Sequence, residues 1–332
     1  MSVRLAISMG DYNGIGPETI LKSLSQIKAV RATPVIIGHK KIFSFYADRF
    51  DMALPDHRNI SSADDIEDGI VNFLNMSDLE TIQPEPGKLS EQAGKAAMLA
   101  VEKGIESCMQ QHTQGLVTAS ISKEAVNKAG YHIPGHTEFL AEKTGTDDFM
   151  MILVHDELRV GLVTIHIPVA QVAGQINKKR VSKYIRIMNR TLSEDFNIPL
   201  PRTAVLGLNP HAGDGGIIGD EEITSITPAI KQAQSADIDV HGPFPADGFF
   251  GNRKYEEYDG VLAMYHDQGL GPFKTLSFGG GVNITAGLPI VRTSPDHGTA
   301  FDIAGENVAD PSSFLKAAKL AIQLSKNRYA KT

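Results

Sequence analysis

The segment LAISMGDYNGIGPE, residues 5–18, decides how this chain is read. An apolar run, Leu5 to Ser8, enters a glycine-rich turn and leaves it through Pro17-Glu18. That is the form of a strand, a tight turn and a helix start. A nucleotide-binding loop is the first suggestion, but the glycines fall at Gly10, Gly14 and Gly16. This spacing fits neither the dinucleotide fingerprint G-x-G-x-x-G nor the phosphate loop G-x-x-x-x-G-K-[ST]. Pro17 suits the first helical position, where its missing N–H costs nothing. Glu18 sits well at the positive end of the helix dipole. The stretch therefore reads as a strand-to-helix turn.

The same alternation continues along the chain. Residues 3–9, 35–38, 116–119, 160–165, 204–208 and 261–264 read as buried strands, and residues 17–27, 91–111, 181–196, 222–234 and 312–326 as helices. In the third helix Val181, Tyr184, Ile185, Met188, Leu192 and Phe196 recur at three- and four-residue steps, one apolar face. Strand–helix alternation of this kind predicts an α/β protein with mostly parallel sheet. At 332 residues the chain has room for two domains. The polar stretch from Asp51 to Lys88, with Pro55, Pro84 and Pro86, reads as irregular connection.

Net charge is -7, which argues against nucleic acid or an anionic membrane as the main partner. No apolar run approaches the roughly 18 residues of a membrane span. The sole cysteine, Cys108, rules out an intrachain disulfide and falls in a helical pattern, as a packing thiol would. A cytoplasmic setting is expected.

Glycine and proline concentrate after Asn209, in loops between strands, where sites usually lie. His166 ends VGLVTIH, His211 follows AVLGLNP and His266 follows GVLAMY, each at or just past the end of an apolar strand. Ligands of parallel sheets bind at those carboxyl ends. Three neutral imidazoles are a catalytic metal's ligand set; three separate loop histidines are the plainer alternative. Asp247 and Asp267 place carboxylates in the same class of loop, as general base, orienting partner or cap. In IPGHTEF, Pro134-Gly135 breaks the chain and Thr137 is placed to cap a helix whose free N–H groups, with His136, can receive a phosphate. Lys274 and Arg292 flank the glycine-rich SFGGGVNITAG as cations for that pocket. SPDHGTAFDIAG, residues 294–305, reads as a rigid loop opening into a short helix.

That last stretch resembles the adenine-side loop of the isocitrate and isopropylmalate dehydrogenase superfamily, H-G-[ST]-A-x-x-x-A-G. The opening turn resembles the superfamily's G-D-G-I-G-P-E, lengthened by two residues. More closely, SISKEAVNKAG, GHTEFLAEKTG, LNPHAGDGG, GPFPAD, MYHDQGLGPFKTL, GVNITAGLP and RTSPDHGTAFDIAG fall in the order of the 4-hydroxythreonine-4-phosphate dehydrogenase (PdxA) family. The resemblance runs essentially end to end. It implies a two-domain isocitrate/isopropylmalate dehydrogenase-like fold with mostly parallel sheets and an interdomain cleft. Residues 1–128 with 291–332 would form a first domain carrying the NAD loop, and 129–290 a second carrying metal and dimer elements.

It further implies a divalent metal (Zn, or Mg, Co or Mn) on His166, His211 and His266, drawn from both subunits of a homodimer with shared active sites. A small phosphorylated substrate would be held at His136, Thr137, Lys274, Asn283 and Arg292. NAD, with NADP as the alternative, would lie at His297, Gly298, Thr299, Asp302 and Gly305. The implied reaction is NAD-dependent oxidation of 4-phosphooxy-L-threonine and decarboxylation to 3-amino-2-oxopropyl phosphate, in pyridoxal phosphate biosynthesis. Asp247 is the expected base and Asp267 the reserve.

The sequence departs from the family pattern in Tyr12-Asn13, in Ser120 where a proline is usual, in Gly248 after Asp247, and in Gly279-Gly280. A phospho-threonate or phospho-erythronate substrate on the same fold is the nearest rival. A phosphotransacetylase-like acyl transfer and a non-catalytic phosphate-binding protein are more distant ones.

Overall fold

A computed structural model describes residues 2–79, 81–133 and 135–329. Pro134, expected to break the chain before the phosphate helix, lies outside the described residues. The chain forms two compact units, Met1–Thr146 with Leu288–Thr332, and Asp147–Gly287.

In the first unit the strands are β1 (Val3–Ser8), β2 (Ala32–Gly38), β3 (His57–Ile60), β4 (Val71–Asn75), β5 (Gly115–Thr118) and β12 (Val291–Pro295). They lie in the order β3-β4-β2-β1-β5-β12, with parallel pairing along that row. A strand covered on both faces needs apolar residues throughout rather than alternation. Accordingly β2, ATPVIIG, is buried along its whole length. The segment 51–88, read as irregular, holds β3 and β4. Their brevity and the polar HRN of β3 hid them, since an edge strand tolerates exposed side chains.

The second unit contains β6 (Met150–His155), β7 (Leu158–Leu162), β8 (Thr203–Leu206), β9 (Val240–Phe244), β10 (Gly260–Ala263) and β11 (Val282–Ala286). Their order is β11-β6-β7-β10-β8-β9. Here β7, β10, β8 and β9 pair in parallel, while β6 is antiparallel to both β7 and β11. Its core joins Leu153, Val160, Leu162, Leu206, Phe249, Val261 and Phe273.

The sequence reading assigned residues 129–146 to the second unit, and the structure corrects this. The helix His136–Lys143 belongs to the first unit. Phe139 meets the edge of Tyr131, and Lys143 ion-pairs with Glu102 on the long helix Glu91–Met109. Cys108, on that same helix, is buried as expected, and burial pushes its thiol up to about 12.

The candidate active site

The opening turn is built to support a loop. Gly10 has φ +70, and a Cβ there would stand 2.5 Å from the Ser120 carbonyl oxygen, so only glycine fits. At Gly14 a Cβ would lie 2.8 Å from the carbonyl oxygen of Thr299. The next amide, Ile15 N–H, donates to that oxygen at 3.0 Å. Asn13 donates to Lys88 O and accepts from Glu85 N–H, and Arg49 Nε donates to Gly305 O. Ile15 also packs with Ala304 and Ala309. Residues 296–305 are therefore moulded on residues 9–18.

The loop does not open into the short helix expected; residues 301–307 are turns and bends. Gly298 and Asp302 are exposed, Thr299 is half-buried, and Gly305 is buried against Pro86. Asp11, in the opening turn, is fully buried. Desolvation pushes its carboxyl up to about 6, against the Asn13 N–H that lowers it.

The carboxyl ends of β5 and β12 carry a cavity of about 140 Å³. Thr118, Ser120, Lys123, His136, Ser294 and His297 are among its lining residues. Arg292, on β12, is buried and donates from Nε and Nη2 to Thr118 Oγ1. Burial brings the guanidinium down to about 9, which still leaves it a cation at neutral pH. His136 is held down at about 3, first by burial and then by the positive charges of Arg292 and Lys123. It is therefore neutral, and its buried Nε2 has no hydrogen-bond partner.

Two cationic side chains acting on a neutral imidazole make this a place for an anionic group. Thr137 is buried but does not cap the helix. Gly135 is the N-cap residue, and His136 and Thr137 form the first turn. The cations acting on His136 are Arg292 and Lys123, and Lys123 was not singled out from the sequence, where it stands only within the motif SISKEAVNKAG.

The remaining expected ligands lie in the second unit. Lys274 is exposed in the last turn of the helix His266–Ser277. Asn283 is on β11, its Oδ1 buried without a partner. His166 and His266 follow the carboxyl ends of the neighbouring strands β7 and β10, and their rings lie 6.3 Å apart. His266 Nδ1 is 2.7 Å from the Asp267 carboxylate. An Nδ1–H donated to that carboxylate leaves the Nε2 lone pair free to bind a cation. Asp267 is thus placed to orient His266, and Asp247 is exposed in the first turn of the helix Ala246–Gly251.

His211 occupies an unusual loop. Residues 211–216 all have positive φ, from His211 at 54° to Gly216 at 100°. Left-handed backbone costs a non-glycine residue about 1–2 kcal/mol, so the loop must be held. The holder is Glu222, which is buried. Its carboxylate accepts from Leu208 N–H, Asn209 N–H and Asn209 Nδ2 at 2.7–2.9 Å. Sequence reasoning missed it because an acidic residue at a helix start is ordinarily satisfied by the dipole. The element is instead a π-turn, Glu222–Ile226, continued by the helix Thr227–Gln234. Among the described residues no group of three or more His, Cys, Asp or Glu side chains is gathered as a metal site within one chain. No helix among them is long and apolar enough to cross a membrane.

Comparison with known proteins identifies the family. The model of the family described as pyridoxal phosphate biosynthetic protein PdxA matches residues 30–321. A 4-hydroxythreonine-4-phosphate dehydrogenase of Bacteroides thetaiotaomicron is 43% identical over 328 residues, covering 98% of this chain and 90% of that one. A relative from Oceanobacillus iheyensis, 42% identical with 97% of each chain covered, carries D-threonate 4-phosphate dehydrogenase as a provisional name. The crystal structure of 4-hydroxythreonine-4-phosphate dehydrogenase from Klebsiella pneumoniae superposes with a TM-score of 0.85 at 37% identity, over 98% of this chain and all of that one. Isocitrate dehydrogenase from Methylococcus capsulatus, 11% identical with a TM-score of 0.51 over 99% of this chain and 87% of that one, shares the fold alone. The chain belongs to the PdxA family of pyridoxal phosphate biosynthetic proteins.

Proposed function

We propose that this enzyme oxidises 4-phosphooxy-L-threonine at C3 with NAD and releases 3-amino-2-oxopropyl phosphate and carbon dioxide, supplying pyridoxal phosphate biosynthesis. The observation that carries the substrate class is the cavity lined by Lys123 and the neutral, buried His136, on which the buried Arg292 also acts by its charge. Neutral His136 gives a phosphate one hydrogen bond without adding charge, and Arg292 and Lys123 supply the charge. Thr137, Lys274 and Asn283 are assigned to the same substrate.

His166 and His266 suit a divalent cation: two imidazole rings side by side, one oriented by Asp267. The third ligand is assigned to His211 of the partner subunit, since among the described residues no third ligand completes a metal group within one chain. When bound, such a cation stabilises negative charge developing on oxygen, both as the hydroxyl is oxidised and as the β-keto acid loses carbon dioxide. NAD, when bound, would supply the hydride acceptor. The loop His297–Gly305 is assigned to it, with the opening turn as its support. Asp247 is assigned to take the hydroxyl proton. Asp267, engaged with His266, serves as an orienting partner.

NADH formation with 4-phosphooxy-L-threonine, 4-phospho-D-erythronate and 4-phospho-D-threonate, with metal analysis of the purified protein, tests the reading. Faster turnover of either sugar acid transfers the assignment to that substrate. Turnover undiminished after a chelator has removed all metal removes the metal role.

A further inference from the structure

Ser120 and His297 follow β5 and β12, neighbouring parallel strands of the first unit, and their side chains meet beside the cavity. Ser120 Oγ lies 2.8 Å from the carbonyl oxygen of His297 and 3.1 Å from its Nδ1. A hydroxyl has a single proton, and a carbonyl oxygen can only accept. The proton therefore goes to the carbonyl, and what Oγ offers Nδ1 is a lone pair. Nδ1 is also 3.0 Å from the carbonyl oxygen of Gly298, a second group that only accepts. Both neighbours demand an N–H at Nδ1. A neutral imidazole protonated there carries its lone pair at Nε2, and Nε2 of His297 is buried with no partner.

We propose that Ser120 is a positioning residue that fixes His297 in the Nδ1–H form, so that Nε2 accepts a hydrogen bond from an N–H or O–H group of the ligand. An unmatched buried acceptor is destabilising, and a ligand donor relieves that cost. The cavity then has two chemically opposite ends. Lys123 and Arg292 attract an anion beside His136, while the His297 lone pair repels anionic oxygen and selects a donor. The donor has two sources: the amino or hydroxyl group of the substrate, or the carboxamide or ribose of the nucleotide. The inference rests on reading this cavity as ligand-binding, not on which phosphorylated acid it holds.

The test is an imidazole nitrogen–proton correlation spectrum of the full-length enzyme labelled with 15N-histidine, with His297 assigned by its loss in H297Q. His297 is expected protonated at Nδ1 and bare at Nε2 in the free enzyme. Separate addition of NAD and of 4-phosphooxy-L-threonine is expected to move the Nε2 signal with one of the two, which identifies the donor's source. An Nε2–H form in the free enzyme, or an Nε2 signal that neither addition moves, overturns the proposal. Kinetically, S120A is expected to raise KM for that ligand about tenfold with little change in kcat, the scale of one hydrogen bond. S120T keeps the hydroxyl and is expected to restore KM; S120A with wild-type KM, or S120T as impaired as S120A, also overturns it. If the enzyme turns over none of the phosphorylated acids, the functional reading fails, while the His297 spectrum and its response to NAD still decide this one.

Discussion

Asp11 is a carboxylate placed where charge is unwelcome: fully buried, with Oδ2 lacking any partner. Its carboxyl is raised from 3.8 to about 6, so the folded chain holds the proton more tightly than the unfolded one. The resulting stabilisation is complete below about pH 4 and is lost as pH rises through about 6. Relative to D11N, the native protein should lose on the order of 3 kcal/mol of unfolding free energy between pH 4 and pH 7. Urea unfolding of both proteins at the two pH values measures this; parallel curves would refute it. Glu222 is the second residue with a large expected effect. In E222Q an amide N–H would face Asn209 Nδ2, donor against donor, where the carboxylate now accepts. A loss of about 1–3 kcal/mol is expected, together with weaker retention of metal by the purified enzyme. Neither role is legible in the sequence. Asp11 reads as a turn residue and Glu222 as a helix start, because burial and partners arise only when distant segments close on them.

Elements were legible where the physics is local. Continuous apolar runs announced β1, β5, β7, β8 and β10, and the Val181–Phe196 periodicity announced the helix Lys178–Glu194. The histidines at the strand ends followed from that reading. Strands β3 and β4 stayed hidden, β3 because a short polar strand is defined by its neighbours rather than by its own composition, and β4 because its apolar run is short and set in a polar stretch. The likeness of GPE and H-G-T-A to one superfamily suggested both loops, but not that one is the bed of the other. That relation gives a test at this scale. In G14A the new methyl collides with Thr299 O and displaces residues 296–305. KM for NAD should rise at least about tenfold, while affinity for inorganic phosphate at the His136 end changes less than twofold. Equal losses at both ends would show that the turn does not act through that loop.

At the scale of the molecule, the assignment of His211 to a second copy predicts complementation. H166A and H211A should each be inactive alone. Refolded together in equal amounts, about half the dimers are mixed, and each mixed dimer regains one of its two sites, or about a quarter of wild-type activity overall. Failure to regain any activity, with mixed dimers demonstrably formed, would place His166 and His211 of each site on one chain. The sequence offers the three histidines but not which copy would contribute each, because the symmetry of an assembly leaves no trace in a single chain. Cys108 offers a way to test the proposed assembly directly. With its thiol buried and raised to about 12, the folded protein presents no reactive sulfur to a maleimide at neutral pH. One cysteine introduced at Ile217, 81% exposed and on the chain just beyond the His211 loop, then becomes the sole labelling point. In the proposed dimer, a spin label there would let pulsed resonance measure the distance between the two copies in solution, with the native cysteine left in place.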